Sequence, residues 1–357
     1  MKHIKLSIAL LLVLSMSLAA FGCAAPAAQT PAAPEAPAAA TQAPAPVEAP
    51  AEAPAAEASF KVAGVVFQDD QFMNMLTKGY VDAAAAAGVE CLTANTSNDQ
   101  AKEVELINTY VGQGVKGIAI APLSSDASIA ALREANAQGV QIAITNLNLE
   151  GADFIAGGYC SDDFTNCKLV GTEAAKAIKE KFGDTEIKLA IVQFKSLLVD
   201  QSTARVNGYL AGLEEGGVKY TVVADQDAWM QDTALETAGG ILTANPDLNV
   251  IITVNDGGTI GSTMAVANAG LSDKVLVFGH DGSDQISSMI LDAASPLYAV
   301  VTQDPYGQGF NAMTALIKAI KGEDVSASKG KVQFVPGTVL SKGDIEGVNK
   351  WRADNGL

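Results

Sequence analysis

The sequence is poor in the residues on which much enzyme chemistry depends. It has two histidines in 357 residues, His3 and His280. His3 lies in a segment typical of an export signal, so a Ser-His-Asp triad or a histidine-based zinc site would depend on His280 alone. There is also no P-loop, no HExxH, no GxSxG and no EF-hand motif. We therefore expect a protein that is not an enzyme and has no cofactor or bound metal.

Basic residues are also scarce. The chain has 23 Lys and Arg against 40 Asp and Glu, a formal charge of -17. Residues 1–58 hold two Lys and four Glu, which leaves 21 basic and 36 acidic residues, or -15, on the rest. Such an acidic body would repel a phosphate backbone, which argues against a nucleic-acid partner.

The N-terminal segment predicts export. Residues 1–22 have two lysines followed by an apolar run, which is the pattern of a signal peptide. The run ends in LAAFGC, which resembles the lipobox of bacterial lipoproteins, in which Cys23 would be lipidated and become the new N-terminus. Plain secretion is the alternative. Residues 23–58 hold eight of the 13 prolines and predict a disordered tether, so that a lipid would be the only contact with the membrane.

From residue 60 onward, apolar runs alternate with helical patterns, which predicts an α/β fold with parallel sheets. In a first series, strands are expected at 61–67, 90–93, 117–120 and 141–145, with helices near 72–87, 99–112 and 126–137. In a second series, strands are expected at 188–194, 220–224, 250–254 and 275–278, with helices near 201–215, 233–244 and 259–269. Strands at 154–158 and 297–302 lead out of the two halves, a helix follows Gln303, and 332–340 is a last strand-like segment. Ligands bind beyond the carboxyl ends of parallel strands, so the turn QDDQF after the first strand lies at a binding edge.

Several motifs occur in a characteristic order: FQDDQFM, ITNLN, GYCSDD, ADQDAWMQDTA, ITVNDGGTIGS, FGHDGSD and VVTQDPYGQG. Together they resemble the type I periplasmic binding proteins of bacterial ABC importers, in the ribose-binding and galactose/glucose-binding group. The resemblance covers residues 59 to about 347. It implies two Rossmann-like lobes joined by a three-segment hinge, with the ligand in the cleft between them. The lobes would comprise residues 59–161 with 304–331, and residues 162–303 with 332–357.

The resemblance also implies the side chains that contact a ligand. Two aromatic rings, Phe72 and Trp229, would stack on the faces of a sugar. The polar groups that would bond its hydroxyls are Asp70, Asn146, Asn255, Asp281 and Gln303. Asp281 and Asn255 also suit ordinary turns, and Phe72 suits a core position, so their order in the motifs carries the assignment.

Two arginines of the ribose-binding pattern are missing. The family has Asp-Arg after the fourth strand, where this chain has Asn146 and Leu147, and a second arginine near Thr203. Thr203 is therefore a candidate contact, with Gln201 beside it, whereas Arg205 matches the family's structural arginine. The calcium loop of the galactose/glucose branch is missing at 182–187. These departures leave open which sugar or related molecule is the ligand.

The cysteines fit an exported protein. Cys160 and Cys167 flank the first crossover, where they would either form a short disulfide or remain two buried thiols. Cys91 has the position of a core residue.

The resemblance implies a monomeric extracytoplasmic receptor that delivers a monosaccharide to an ABC permease. The alternative is a receptor for a furanosyl signal, a polyol or a nucleoside, read by a chemoreceptor or a sensor kinase. A related sugar-sensing repressor would begin with a basic helix-turn-helix domain rather than an export signal.

Overall fold

The computed structural model describes residues 60–357. The predicted signal peptide at 1–22, the lipidation site Cys23 and the tether at 23–58 lie outside the described residues. No helix within 60–357 is long and apolar enough to cross a membrane.

The first sheet has six parallel strands, in the order β11-β5-β4-β3-β1-β2. The strands are β1 Lys61–Val66, β2 Glu90–Asn95, β3 Gly117–Ile120, β4 Gln141–Thr145, β5 Gly157–Ser161 and β11 Val332–Val335. The helices around it are α1 Gln71–Ala86, α2 Gln100–Gly112, α3 Ser125–Ala137 and α9 Pro305–Ile320. β3 is buried along its whole length, as expected for a parallel strand with helices on both faces of its sheet.

The second sheet repeats the arrangement in the order β12-β10-β9-β8-β6-β7, with β12 antiparallel to β10 at the edge. Its strands are β6 Ile187–Gln193, β7 Tyr220–Asp227, β8 Val250–Thr253, β9 Leu276–His280, β10 Leu297–Val301 and β12 Val339–Ser341. Its helices are α4 Asp163–Phe182, α5 Val199–Glu215, α6 Gln231–Ala244, α7 Asp256–Asn268, α8 Asp284–Leu291 and α10 Ile345–Asp354. The predicted α/β class with two similar lobes is confirmed.

The helix that follows Gln303 returns to the first lobe, as the sequence predicts. α9 packs against α1, and their contact is close because glycines face the other helix. A Cβ on Gly79 would collide with the carbonyl oxygen of Tyr306, and one on Gly309 would collide with that of Leu76. The two backbones can therefore approach to a distance that larger residues would prevent.

Three segments connect the lobes, at residue 162, at 302–304 and at 336–338. The prediction that the second lobe resumes at Val332 is wrong, because Val332–Val335 pair with β5 and complete the first sheet. The strand predicted at 154–158 forms later, at Gly157–Ser161, since the residues before it form turns, one of them closed by Ile155 N–H donating to the carbonyl of Ala152.

Candidate functional site

A cavity with about 350 Å³ of empty space, part of it open to solvent, lies between the lobes. Its walls are formed by Phe67, Gln68, Asp70, Phe72, Met73, Asn146, Phe194, Leu197, Leu198, Gln201, Arg205, Trp229, Asn255, Asp256, Asp281 and Gln303. Most of these residues follow the carboxyl ends of strands, where the parallel topology places a binding edge.

The first lobe supplies Asp70 at the start of α1. One oxygen of Asp70, Oδ1, accepts from the backbone N–H of Met73 at 2.8 Å and caps the helix. The other, Oδ2, accepts from the side-chain amide of Gln68. Phe72 is buried beside them. The cap therefore fixes a carboxylate and a phenyl ring at the same edge of the cavity.

The second lobe holds Trp229 through the start of α7. Asn255 caps that helix by accepting from Gly258 N–H at 3.2 Å, and its Nδ2 donates to the carbonyl oxygen of Trp229 at 2.7 Å. A Cβ on Gly257 would collide with the same carbonyl oxygen. The glycine and the asparagine together let the Trp229 loop lie against the helix.

Two polar wall residues have strained backbones. Asn146, after β4, has φ 64°, and Asp281, after β9, has φ 72°. Left-handed conformations are costly for residues with a side chain and cluster at functional sites. Asp281 Oδ1 also accepts from the side-chain amide of Gln303 at 2.6 Å, which fixes the carboxylate against the segment that crosses between the lobes.

Direct hydrogen bonds join the lobes across the cleft. Gln201 Nε2 donates to the carbonyl oxygen of Asn146 at 3.1 Å, and Gln71 Nε2 donates to Gln285 Oε1 at 3.1 Å. Both bonds connect the first lobe to helices of the second. The structure is therefore a closed conformation.

Arg205 is largely engaged within the second lobe. Its Nε donates to Asp163 Oδ1 at 2.6 Å, and its Nη1 donates to the carbonyl oxygen of Val254 at 2.8 Å. Its guanidinium lies 5.3 Å from the centre of the Phe194 ring. These contacts agree with the structural role that the sequence suggests.

Burial raises the pKa of the cavity carboxyls. Burial first, and then the nearby charge of Asp256, raises the pKa of Asp70 to about 8. Burial raises the pKa of Asp281 to about 7, against the opposing effect of Arg205. Burial raises the pKa of Asp256 as well, although backbone N–H groups, including that of Phe72 from the other lobe, oppose the change. All three carboxyls resist ionisation while the cleft is closed.

Four buried polar atoms in the cavity walls lack a hydrogen-bond partner. They are Gln68 Oε1, Asn146 Nδ2, Trp229 Nε1 and Gln303 Oε1. Buried polar groups without a partner are costly. The set contains two acceptors and two donors, and it lies with the rings of Phe72, Phe194 and Trp229. A ligand with both hydroxyl groups and apolar C–H faces would match these walls.

The structure brings seven of the eight predicted ligand contacts to the cavity. They are Asp70, Phe72, Asn146, Trp229, Asn255, Asp281 and Gln303. Thr203 does not line it, because on α5 the residues that reach the cavity are Gln201 and Arg205. The prediction did not include Gln68 or Phe194. Phe194 follows β6 as Phe67 follows β1, so aligning the two halves of the sequence would have found it.

Cys160 and Cys167 are not joined by a disulfide. Of the two alternatives, the structure therefore shows two buried free thiols. Cys160 lies on β5, whereas Cys167 is buried in α4 with its Sγ 3.3 Å from His280 Nδ1. Burial raises the pKa of the Cys167 thiol and lowers that of His280 well below its usual value, so the pair stays uncharged. His280 is therefore a buried core residue.

The fold and the cavity define a two-lobed solute-binding protein. The sequence-family model described as "Periplasmic binding protein domain" matches residues 62–324 of this chain. The chain belongs to this family of periplasmic binding proteins, which are binding proteins and not enzymes.

Characterised relatives span most of the chain. The D-allose-binding periplasmic protein of Escherichia coli K12 is 29% identical over 255 residues, which are 70% of this chain and 81% of that protein. The ribose import binding protein RbsB of Salmonella typhimurium LT2 is 27% identical over 260 residues, 72% of this chain and 84% of that protein. A crystal structure of a periplasmic solute-binding protein from Actinobacillus succinogenes with bound D-allose has a TM-score of 0.71 and 25% identity, and the match covers 81% of this chain and all of that one.

Proposed function

We propose that the protein captures a monosaccharide in the cavity between its lobes and delivers it to an ABC transporter permease. The observation that carries this proposal is the set of unpaired donors and acceptors beside aromatic rings in a closed cleft. A pyranose or furanose presents hydroxyl groups that donate and accept, together with C–H faces that pack on aromatic rings. The named relatives that bind D-allose or import ribose support the same ligand class.

The proposed contacts are Asp70, Asn146, Asn255, Asp281 and Gln303 for the hydroxyls, with Phe72 and Trp229 for the faces. Gln68 joins the first group because its Oε1 lacks a partner. A site that pairs every hydroxyl discriminates against sugars that lack one, because the matching buried group is then left unpaired.

We also propose that a lipid on Cys23 anchors the protein to the outer face of the cytoplasmic membrane. The support is the order of charged, apolar and small residues before Cys23. The tether at 23–58 would give the lobes the reach to meet a permease in the same membrane.

A thermal-shift screen against monosaccharides, polyols and nucleosides tests the ligand class. A ligand that binds only the folded protein, at 100 times its dissociation constant, stabilises it by about 2.7 kcal/mol. Hits are then confirmed by calorimetric titration. A monosaccharide that binds in the micromolar range or below supports the proposal. Binding by nucleosides alone, with no response to any sugar or polyol, would refute it.

A further inference from the structure

The cavity carries more negative charge than its cation can balance. Asp70, Asp256 and Asp281 all line the cavity. Among the described residues that line it, Arg205 is the one Lys or Arg. Arg205 already pairs with a fourth carboxylate, Asp163. Four carboxylates against one guanidinium leave an excess of three negative charges when all are ionised. Loss of the two family arginines, at Leu147 and Thr203, removes the cations that the resemblance would place here.

The uncompensated carboxylates come from opposite lobes. Asp70 begins α1 in the first lobe, whereas Asp256 begins α7 and Asp281 follows β9 in the second. Closure brings like charges together and removes them from water, and both effects are unfavourable. Burial is the main cause that raises the pKa of all three groups, and the nearby charge of Asp256 adds to the rise at Asp70 and Asp281. A positive group between the lobes would reverse the repulsion and stabilise the closed conformation.

Two glutamine–aspartate pairs present acceptors to the cavity. The amide of Gln68 donates its N–H to Asp70, and that of Gln303 donates to Asp281, so each amide oxygen faces no donor. Gln68 is 7% exposed and Gln303 6%, so water does not reach these groups freely. A primary ammonium has three N–H donors and no acceptor, which is the complement of such a wall.

A metal ion does not fit the same observations. Within residues 60–357, no group of three His, Cys, Asp or Glu side chains is close enough to hold one. Among the described residues, the three carboxylates therefore do not form a metal site of that kind.

We propose that the ligand is a monosaccharide or cyclic polyol bearing a protonated amino group, which lies among Asp70, Asp256 and Asp281. This inference rests on the proposed function and narrows its ligand class. The hydroxyls of the ring keep the contacts proposed above, and the ammonium replaces the missing arginines as the balancing charge.

Matched pairs of ligands test the inference on the protein purified as the cell produces it. Calorimetric titrations at pH 7 compare D-glucosamine with D-glucose, D-galactosamine with D-galactose, D-mannosamine with D-mannose, and an aminodeoxyinositol with myo-inositol. In the best-binding pair, we expect the amine to bind about 10-fold or more tightly than the hydroxyl parent. The N-acetyl derivative, which is neutral, should lose that advantage.

Isosteric neutral variants locate the effect. Asp256→Asn and Asp281→Asn should each reduce the preference for the amine over its neutral parent by about 10-fold. Asp281→Asn also alters a proposed hydroxyl contact, so it should weaken binding of the neutral parent and weaken binding of the amine further still. Using both variants guards against one that fails to fold. Asp273→Asn, at an exposed site away from the cavity, is the matched control and should keep the full preference.

The outcomes separate this inference from the proposed function. If a neutral sugar binds as tightly as its amine, the inference is overturned and the monosaccharide site stands. If no sugar, polyol or amine in the set binds, the proposed function fails and this inference fails with it. An amine preference that both aspartate variants retain would also overturn it, because the selectivity would then arise elsewhere.

Discussion

Replacing Trp229 by Ala would remove the largest aromatic surface that lines the cavity. The indole lies beside the proposed ligand contacts, and its Nε1 is buried without a protein partner. Truncating a large aromatic anchor in a pocket typically costs about 2 to 4 kcal/mol of binding. At about 1.4 kcal/mol per factor of ten, this corresponds to roughly a 30-fold to 1000-fold higher dissociation constant. The assay is calorimetric titration with the best ligand from the screen.

Trp229→Phe separates stacking from hydrogen bonding. It keeps an aromatic face and removes the N–H, so it should cost about 0.5 to 1.5 kcal/mol, or roughly 2-fold to 13-fold in affinity. Trp351 lies on α10 and does not line the cavity, so Trp351→Phe should leave affinity unchanged. Because Trp229 is then the one tryptophan left, the intrinsic fluorescence of this variant reports on Trp229 when ligand binds. If Trp229→Ala left affinity unchanged and lowered the melting temperature of the free protein by many degrees, the indole would be a packing residue and the reasoning would fail.

Three further predictions concern anchoring, closure and pH. Metabolic labelling with a fatty-acid analogue should mark the protein, and Cys23→Ser should abolish the label; unchanged labelling would exclude Cys23 as the lipid site. Small-angle scattering should give a smaller radius of gyration with saturating ligand than without, because closure forms contacts such as Gln71 to Gln285; equal radii would contradict the hinge. With pKa values of about 8 at Asp70 and about 7 at Asp281, the folded closed protein holds more protons than the unfolded chain above about pH 4, so its free energy of unfolding should fall as pH rises toward 8. Urea titrations at several pH values measure this, and a flat profile, or an equal slope in Asp281→Asn, would refute it.

The sequence predicts the lobes well because their signals are local. Buried parallel strands appear as short apolar runs, and helices begin at capping residues such as Asp70, Asp99 and Asn255, which accept from the first N–H groups. Each of these signals can be identified within a few residues. The sequence places the third crossover wrongly because no local signal shows where Val332–Val335 pair. Their partner strand, β5, lies about 170 residues earlier in the chain.

The candidate site was predicted less completely, for a different reason. Gln68 and Phe194 carry no motif of their own, and only closure of the lobes brings both to the cavity with Trp229. Thr203 was expected because it stands where the family has an arginine. A helix directs residues two positions apart to different faces, so Gln201 and Thr203 cannot both face the cavity in the same way. Closeness in sequence therefore does not predict which of these two side chains faces the cavity.

Strain at equivalent positions links the two lobes to the chemistry of the cleft. Asn146 follows the fourth strand of the first lobe and Asp281 follows the fourth strand of the second, and both have positive φ. Glycine would adopt that conformation at no steric cost, yet both positions carry short polar side chains. An unfavourable backbone persists only where the surroundings impose it, and here each residue is also tied to another segment, Asn146 by Gln201 and Asp281 by Gln303. The proposed role of both side chains as ligand contacts would explain why neither position is glycine. The bond from Gln201 to the backbone carbonyl of Asn146 crosses between the lobes, and the bond from Gln303 ties Asp281 to the crossover, so both positions are held where the lobes meet.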